Sequence, residues 1–76
     1  MEKTFIQVTA EHDADGRIRP ISLRWENGQV YNIDRVMDVR MAAALKVGGQ
    51  GIRYTCRIQG KMVYLFCDEG RWFIEK

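Results

Sequence analysis

Residues 52–75 read IRYTCRIQGKMVYLFCDEGRWFIE, from Ile52 to Glu75. Two turn signals, Gly60-Lys61 and Asp68-Glu69-Gly70-Arg71, cut this stretch into three short runs rich in β-branched and aromatic residues. A two-residue connection at Gly60-Lys61 sets Gln59 opposite Met62, and with it Ile58 opposite Val63, Cys56 opposite Leu65 and Tyr54 opposite Cys67. A tight turn at Glu69-Gly70 sets Asp68 opposite Arg71, Cys67 opposite Trp72 and Leu65 opposite Ile74. Side chains alternate across a strand, so Tyr54, Cys56, Ile58, Val63, Leu65, Cys67, Trp72 and Ile74 share one side, and none of them is charged. A one-residue slip brings Arg53 and Arg57 among them, so the register is well specified.

The opposite side carries Arg53, Thr55, Arg57, Tyr64, Phe66, Asp68, Arg71, Phe73 and Glu75. Phe66 pairs across to Phe73, and Tyr64 lies between Arg57 and Glu75. Two readings of this side stand. The rings cover a second core or sit under a loop, as aromatic residues usually do. Alternatively Arg53, Arg57, Tyr64, Phe66, Arg71 and Phe73 form an exposed aromatic and arginine face, suited to a protein partner or to single-stranded nucleic acid.

Working outward, residues 4–10 (TFIQVTA) alternate around Ile6, Val8 and Ala10 and predict a first strand. The polar loop EHDADGR follows, without the full spacing of a calcium loop. Residues 19–25 (RPISLRW) predict a second strand, with Pro20 at an edge or strand start. Asn27-Gly28 turns the chain back. A three-residue turn with Gly28 left-handed pairs Leu23 with Tyr31 and Ile21 with Ile33, apolar against apolar, and is preferred to a two-residue turn. The next strand runs from Gln29 to about Val36 and continues towards Val39 through a bulge. Residues 38–51 (DVRMAAALKVGGQG) give the one helix candidate, a short helix or helical turn near 39–47, capped by Asp38 and ended by Gly48. The Gly-rich segment lacks the lysine and hydroxyl ending of a phosphate loop and reads as a linker.

The fold expected is mainly β: a small antiparallel SH3-like barrel or curled sheet of five to six strands, spanning residues 1–76 as one domain. A chain of 76 residues buries little core, so association with a partner or another copy helps it. No apolar run reaches membrane-spanning length and the N-terminus shows no export signal, so the expectation is a cytoplasmic protein with no membrane partner. The formal net charge of +2 is too small to argue for nucleic acid by itself, although residues 35–76 hold eight basic against four acidic side chains.

Cys56 and Cys67 fall diagonally on adjacent strands in this register, about 7–8 Å apart, beyond the usual disulfide reach of about 7 Å. They are expected to be buried reduced thiols. His12 is the only histidine, so no metal site is expected, and no cofactor. No pair poised for acid–base or nucleophilic work is present, so the chain reads as a non-enzymatic binding module. The expected partner is a protein, with single-stranded nucleic acid or self-association through the same face as alternatives.

Two sets of residues, Pro20, Trp25, Gly28, Tyr31, Ile33 and Val36, then Arg53-Tyr54, Gly60, Leu65 and Arg71-Trp72, resemble a family of small uncharacterised bacterial proteins with a Pro-x4-Trp-x2-Gly-x2-Tyr-x-Ile signature and a late Arg-Trp. The resemblance covers residues 20–74. It implies a bacterial source and a β-rich fold, and nothing about catalysis.

Overall fold

Period-two alternation and left-handed turn residues dictate the architecture of the computed structural model, which describes residues 3–75. Seven strands form: β1 (Phe5–His12), β2 (Ile18–Arg24), β3 (Val30–Asn32), β4 (Arg35–Ala43), β5 (Gln50–Ile58), β6 (Lys61–Asp68) and β7 (Arg71–Glu75). They make one antiparallel sheet in the order β3-β2-β1-β7-β6-β5-β4. No helix occurs among the described residues, and hence none long and apolar enough to cross a membrane.

The sheet curls into a half-barrel. Two residues, Ile33 and Asp34, carry the chain from β3 at one end of the strand order to β4 at the other. Ile33 N–H donates to the Ile21 carbonyl and Asp34 N–H to the Arg57 carbonyl, each at 2.9 Å. The Asp34 carboxylate also accepts the Gln59 amide at 3.0 Å. One short link bonded to both ends of the sheet draws them towards each other. They do not zip together: an open cleft of about 450 Å³, lined by residues including Pro20, Ile33 and Val36, remains along the seam.

The concave side holds the main core of Leu23, Tyr54, Cys56, Ile58, Leu65 and Trp72, with Ile6, Val8, Tyr31, Val36, Val63, Cys67 and Ile74 packed around it. All eight residues assigned to the apolar side of the last three strands belong to it. Their cross-strand pairs differ from expectation in one hairpin. The β5–β6 turn is Gln59-Gly60, not Gly60-Lys61, with φ of 51° and 75°. Cys56 therefore faces Val63, Tyr54 faces Leu65, and Tyr64 faces Thr55 in place of Arg57. The displacement is two residues, an even number, so every side chain keeps its face. Glycine tolerates the left-handed geometry of the second turn position, which lysine resists, and that favours the observed turn. The β6–β7 register is as expected, with Cys67 opposite Trp72 and Phe66 opposite Phe73.

The β2–β3 hairpin also takes its expected form. Gly28 is left-handed at φ 86°, and Leu23 lies opposite Tyr31. Pro20 sits in β2 opposite Ala10, beside a register shift and beyond the reach of β3, where no ladder asks for its missing N–H. The strand expected to continue beyond Val36 does so past a shift between Val36 and Asp38, leaving Met37 as the extra residue.

The helix expected near 39–47 is absent. β4 stays extended to Ala43, and only a single turn follows, closed by Gly48 N–H on the Ala44 carbonyl at 3.0 Å. Alanine's helical preference is worth tenths of a kcal/mol per residue, less than an eight-pair ladder with β5 supplies.

Candidate functional site

The convex side settles which reading of the rings holds. Phe66 and Phe73 have no solvent exposure. They stack face to face with centroids 5.0 Å apart, and Phe5 meets Phe73 edge-on at 6.0 Å. Ala44 completes this second core, with Ala42, Val47 and Tyr64 packed against it. The β4–β5 connection thus folds over the two rings, and the Lys3 ammonium lies 4.8 Å from the Phe73 centroid. The exposed aromatic platform is thereby corrected: two of its three rings lie under a loop. A self-association surface built on those rings loses its anchors for the same reason.

The remaining candidate residues separate into two places. Arg53 lies over the Tyr64 ring at 4.9 Å, and Arg57 stands exposed four residues on, beyond Thr55 on the same face of β5. Arg71 lies beyond the covered rings, over Phe5 at 3.7 Å. On β4, Arg35 and Arg40 join Arg57 and Arg53 as their direct cross-strand partners. Asp38 answers them, accepting from Arg40 Nε at 2.7 Å and lying 4.0 Å from Arg53 Nη2. The convex face of β4–β5 is therefore a stripe of four arginines, two of which, Arg40 and Arg53, share the Asp38 carboxylate, with Arg53 Nε lacking a hydrogen-bond partner.

A second feature is a cleft of about 310 Å³ at the mouth of the half-barrel. The β2–β3 hairpin contributes Leu23, Trp25 and Tyr31; the β5–β6 hairpin contributes Ile58, Gln59, Lys61, Met62 and Val63; Ile74 completes the lining. The Leu23–Tyr31 pairing turns both side chains inward, and the three-residue turn holds Trp25 N–H on the Gln29 carbonyl at 2.8 Å. The Tyr31 hydroxyl donates to Gln29 Oε1 at 3.1 Å, which fixes the ring at the rim. Apolar walls with a few polar groups at the edge are what small-molecule and peptide sites share. The sequence signalled each hairpin but not their meeting, which depends on curl of the whole sheet.

Both cysteines are free thiols, Cys56 buried and Cys67 half-buried. The corrected register places them four residues apart along the ladder, about 13 Å at the rise of a strand. Burial pushes the Cys56 thiol from its ordinary 9.0 up to about 11, and its S–H donates to the Tyr54 carbonyl at 3.4 Å. Burial also raises Cys67. Below pH 9 folded and unfolded chains both keep the Cys56 proton. Between about 9 and 11 only the folded chain keeps it, so this residue's contribution to stability falls as pH rises. Native-state maleimide labelling at neutral pH is expected to modify Cys67 slowly and Cys56 only after denaturant is added. Fast labelling of Cys56 in the folded protein contradicts its placement.

Among the described residues no group of three or more His, Cys, Asp or Glu side chains is gathered as metal ligands would be. No protein-family model matches the chain, no curated protein matches it, and no solved structure matches it. The resemblance across residues 20–74 therefore brings no relative's activity to the site.

Proposed function

We propose that the chain is a non-enzymatic binding module that holds an apolar segment of a partner protein in the cleft between Trp25, Tyr31 and Met62. The observation that carries this reading is the cleft itself: two aromatic side chains converge on an apolar floor of Leu23, Ile58, Val63 and Ile74, with Met62, Lys61 and Gln59 at the rim. Aromatic anchors in a desolvating pocket supply most of the energy in protein recognition, and a methionine at the rim adapts to varied side chains. The cleft lining holds no carboxylate, histidine or thiol, so its chemistry is that of binding. Two unlinked thiols accord with a reducing, cytoplasmic setting. A bacterial source rests on the resemblance alone.

The variants Met62→Glu and Tyr31→Ala are expected to remain folded by circular dichroism and to lose the protein that the wild type retains on an affinity column. Retention unchanged by both substitutions overturns the reading.

A second reading rests on the arginine stripe. Arg35, Arg40, Arg53 and Arg57 can follow a phosphate backbone. With Phe66 and Phe73 covered, Tyr64 is the one ring left beside them, so base stacking contributes little. A low-salt gel shift with a single-stranded oligonucleotide, abolished by Arg53→Ala and Arg57→Ala but not by Met62→Glu, would favour this reading over the cleft.

A further inference from the structure

The sheet ends at β4, a nine-residue strand that pairs on one side only, with β5. A strand edge presents N–H and C=O groups ready to pair with another strand. Natural proteins cover such edges, shorten them, or guard them with bulges and charges, lysine above all; β4 is nine residues long, its bulge lies near one end at Met37, and its charges, Arg35, Asp38 and Arg40, are of both signs. Its surroundings are apolar: Val39 is 53% exposed, Met41 71% and Ile52 39%. Val39 and Met41 lie on the concave face opposite Tyr54 and Ile52, beyond the part of the core that the half-barrel closes over.

We propose that β4 pairs antiparallel with β4 of a second copy, about a two-fold axis at Val39. Charge selects both the occupant and the register. A two-fold axis brings the same strand to itself in reverse, so each residue meets the one equally far beyond the axis. With the axis at Val39, Arg40 faces the second copy's Asp38 and Asp38 faces the second copy's Arg40, on the convex side. Val39 meets Val39 on the concave side, and Met41 covers the second copy's strand near its bulge. An axis at Arg40 sets guanidinium against guanidinium, and one at Asp38 sets carboxylate against carboxylate. One at Met41 leaves both charges opposite alanines. Opposite charges directly across a ladder stabilise it and like charges destabilise it, so the strand is complementary to itself in one register. The pairing joins the two sheets into one and shelters apolar surface that a 76-residue fold does not cover alone. It uses none of the residues of the Trp25 cleft, so it stands or falls apart from the function proposed above.

Light scattering and sedimentation across micromolar to sub-millimolar concentrations are expected to show a monomer–dimer equilibrium. Asp38→Arg weakens it about tenfold or more, because both symmetric pairs turn repulsive. The exchanged variant carrying Asp38→Arg with Arg40→Asp restores it. Val39→Lys, at an exposed site, leaves the circular dichroism unchanged and gives a monomer. In a Cys67→Ser background, mild oxidation cross-links Val39→Cys rapidly and Met41→Cys slowly. A monomer at every concentration overturns the proposal. So does a dimer that Asp38→Arg leaves intact, that the exchange fails to restore, or that Met41→Cys cross-links in preference to Val39→Cys. Met62→Glu leaves the equilibrium unchanged.

Discussion

Phe73→Ala is expected to destabilise the fold by about 3–5 kcal/mol, the range for emptying a buried phenylalanine site. Phe73 has no solvent exposure and touches two other rings, stacking on Phe66 at 5.0 Å and receiving the edge of Phe5 at 6.0 Å. Truncation removes both aromatic contacts, the seat of the Lys3 ammonium and the floor on which Ala44 packs. Collapse into the space is limited, because Phe66 and Phe73 are held by adjacent strands and cannot approach further. Total stability for a chain of 76 residues is about 4–11 kcal/mol, so the variant is expected to be largely unfolded at 37 °C or to show a sharply lowered urea midpoint. Phe5→Ala, at a site 43% exposed, costs much less and is the control. A Phe73→Ala midpoint equal to that of the wild type means the convex core contributes nothing, and the account of the β4–β5 connection as its cover fails with it.

That result bears on how much of the molecule was legible in its sequence. Alternation decided the faces of β1, β2, β6 and β7, because period two survives small errors in turn placement: the Gln59-Gly60 turn moved every pair yet left Tyr54, Cys56 and Leu65 inside. The order of pairing was less secure than the faces, since Gly60 satisfies a left-handed turn in either alignment. The alanines after Met41 misled. They suggest a helix by propensity, but Ala42 and Ala44 serve a different purpose, their small side chains letting the connection lie close over Phe66 and Phe73. No local pattern distinguishes the two uses. The aromatic face was correctly composed and only its covering was open, because what covers a sheet face comes from elsewhere in the chain. The Trp25 cleft was beyond reach for a related reason: Leu23 and Tyr31 were paired from the sequence, whereas their meeting with Met62 depends on the Ile33-Asp34 link drawing the ends of the sheet together.

Glu75→Ala is expected to cost about 1–3 kcal/mol, the range for losing part-buried hydrogen bonds to a charged group, and to open the cover over the convex core. Glu75 ends β7 and is only 7% exposed, an unusual position for a carboxylate. Its Oε2 accepts the Lys46 amide at 2.8 Å and the Val47 amide at 3.4 Å. The turn after β4 thus presents successive N–H groups to a carboxylate carried by a strand almost thirty residues later, in the way a capping side chain meets the start of a helix. Gly48 N–H on the Ala44 carbonyl and Ala44 N–H on the Gly49 carbonyl shape the turn locally, and Glu75 ties the Lys46 and Val47 amides to the sheet. Alanine removes the tie and leaves the strand ladders intact. The urea midpoint should therefore fall while the strand signature in circular dichroism persists, and hydrogen exchange at Lys46 and Val47 should accelerate more than exchange at Leu65. Glu75→Gln keeps a carbonyl acceptor in place and is expected to lose less. Because Glu75 and Phe73 act through the same cover, the double variant should lose less than the two single losses combined. Full additivity would mean that the carboxylate anchors something other than the lid over these rings.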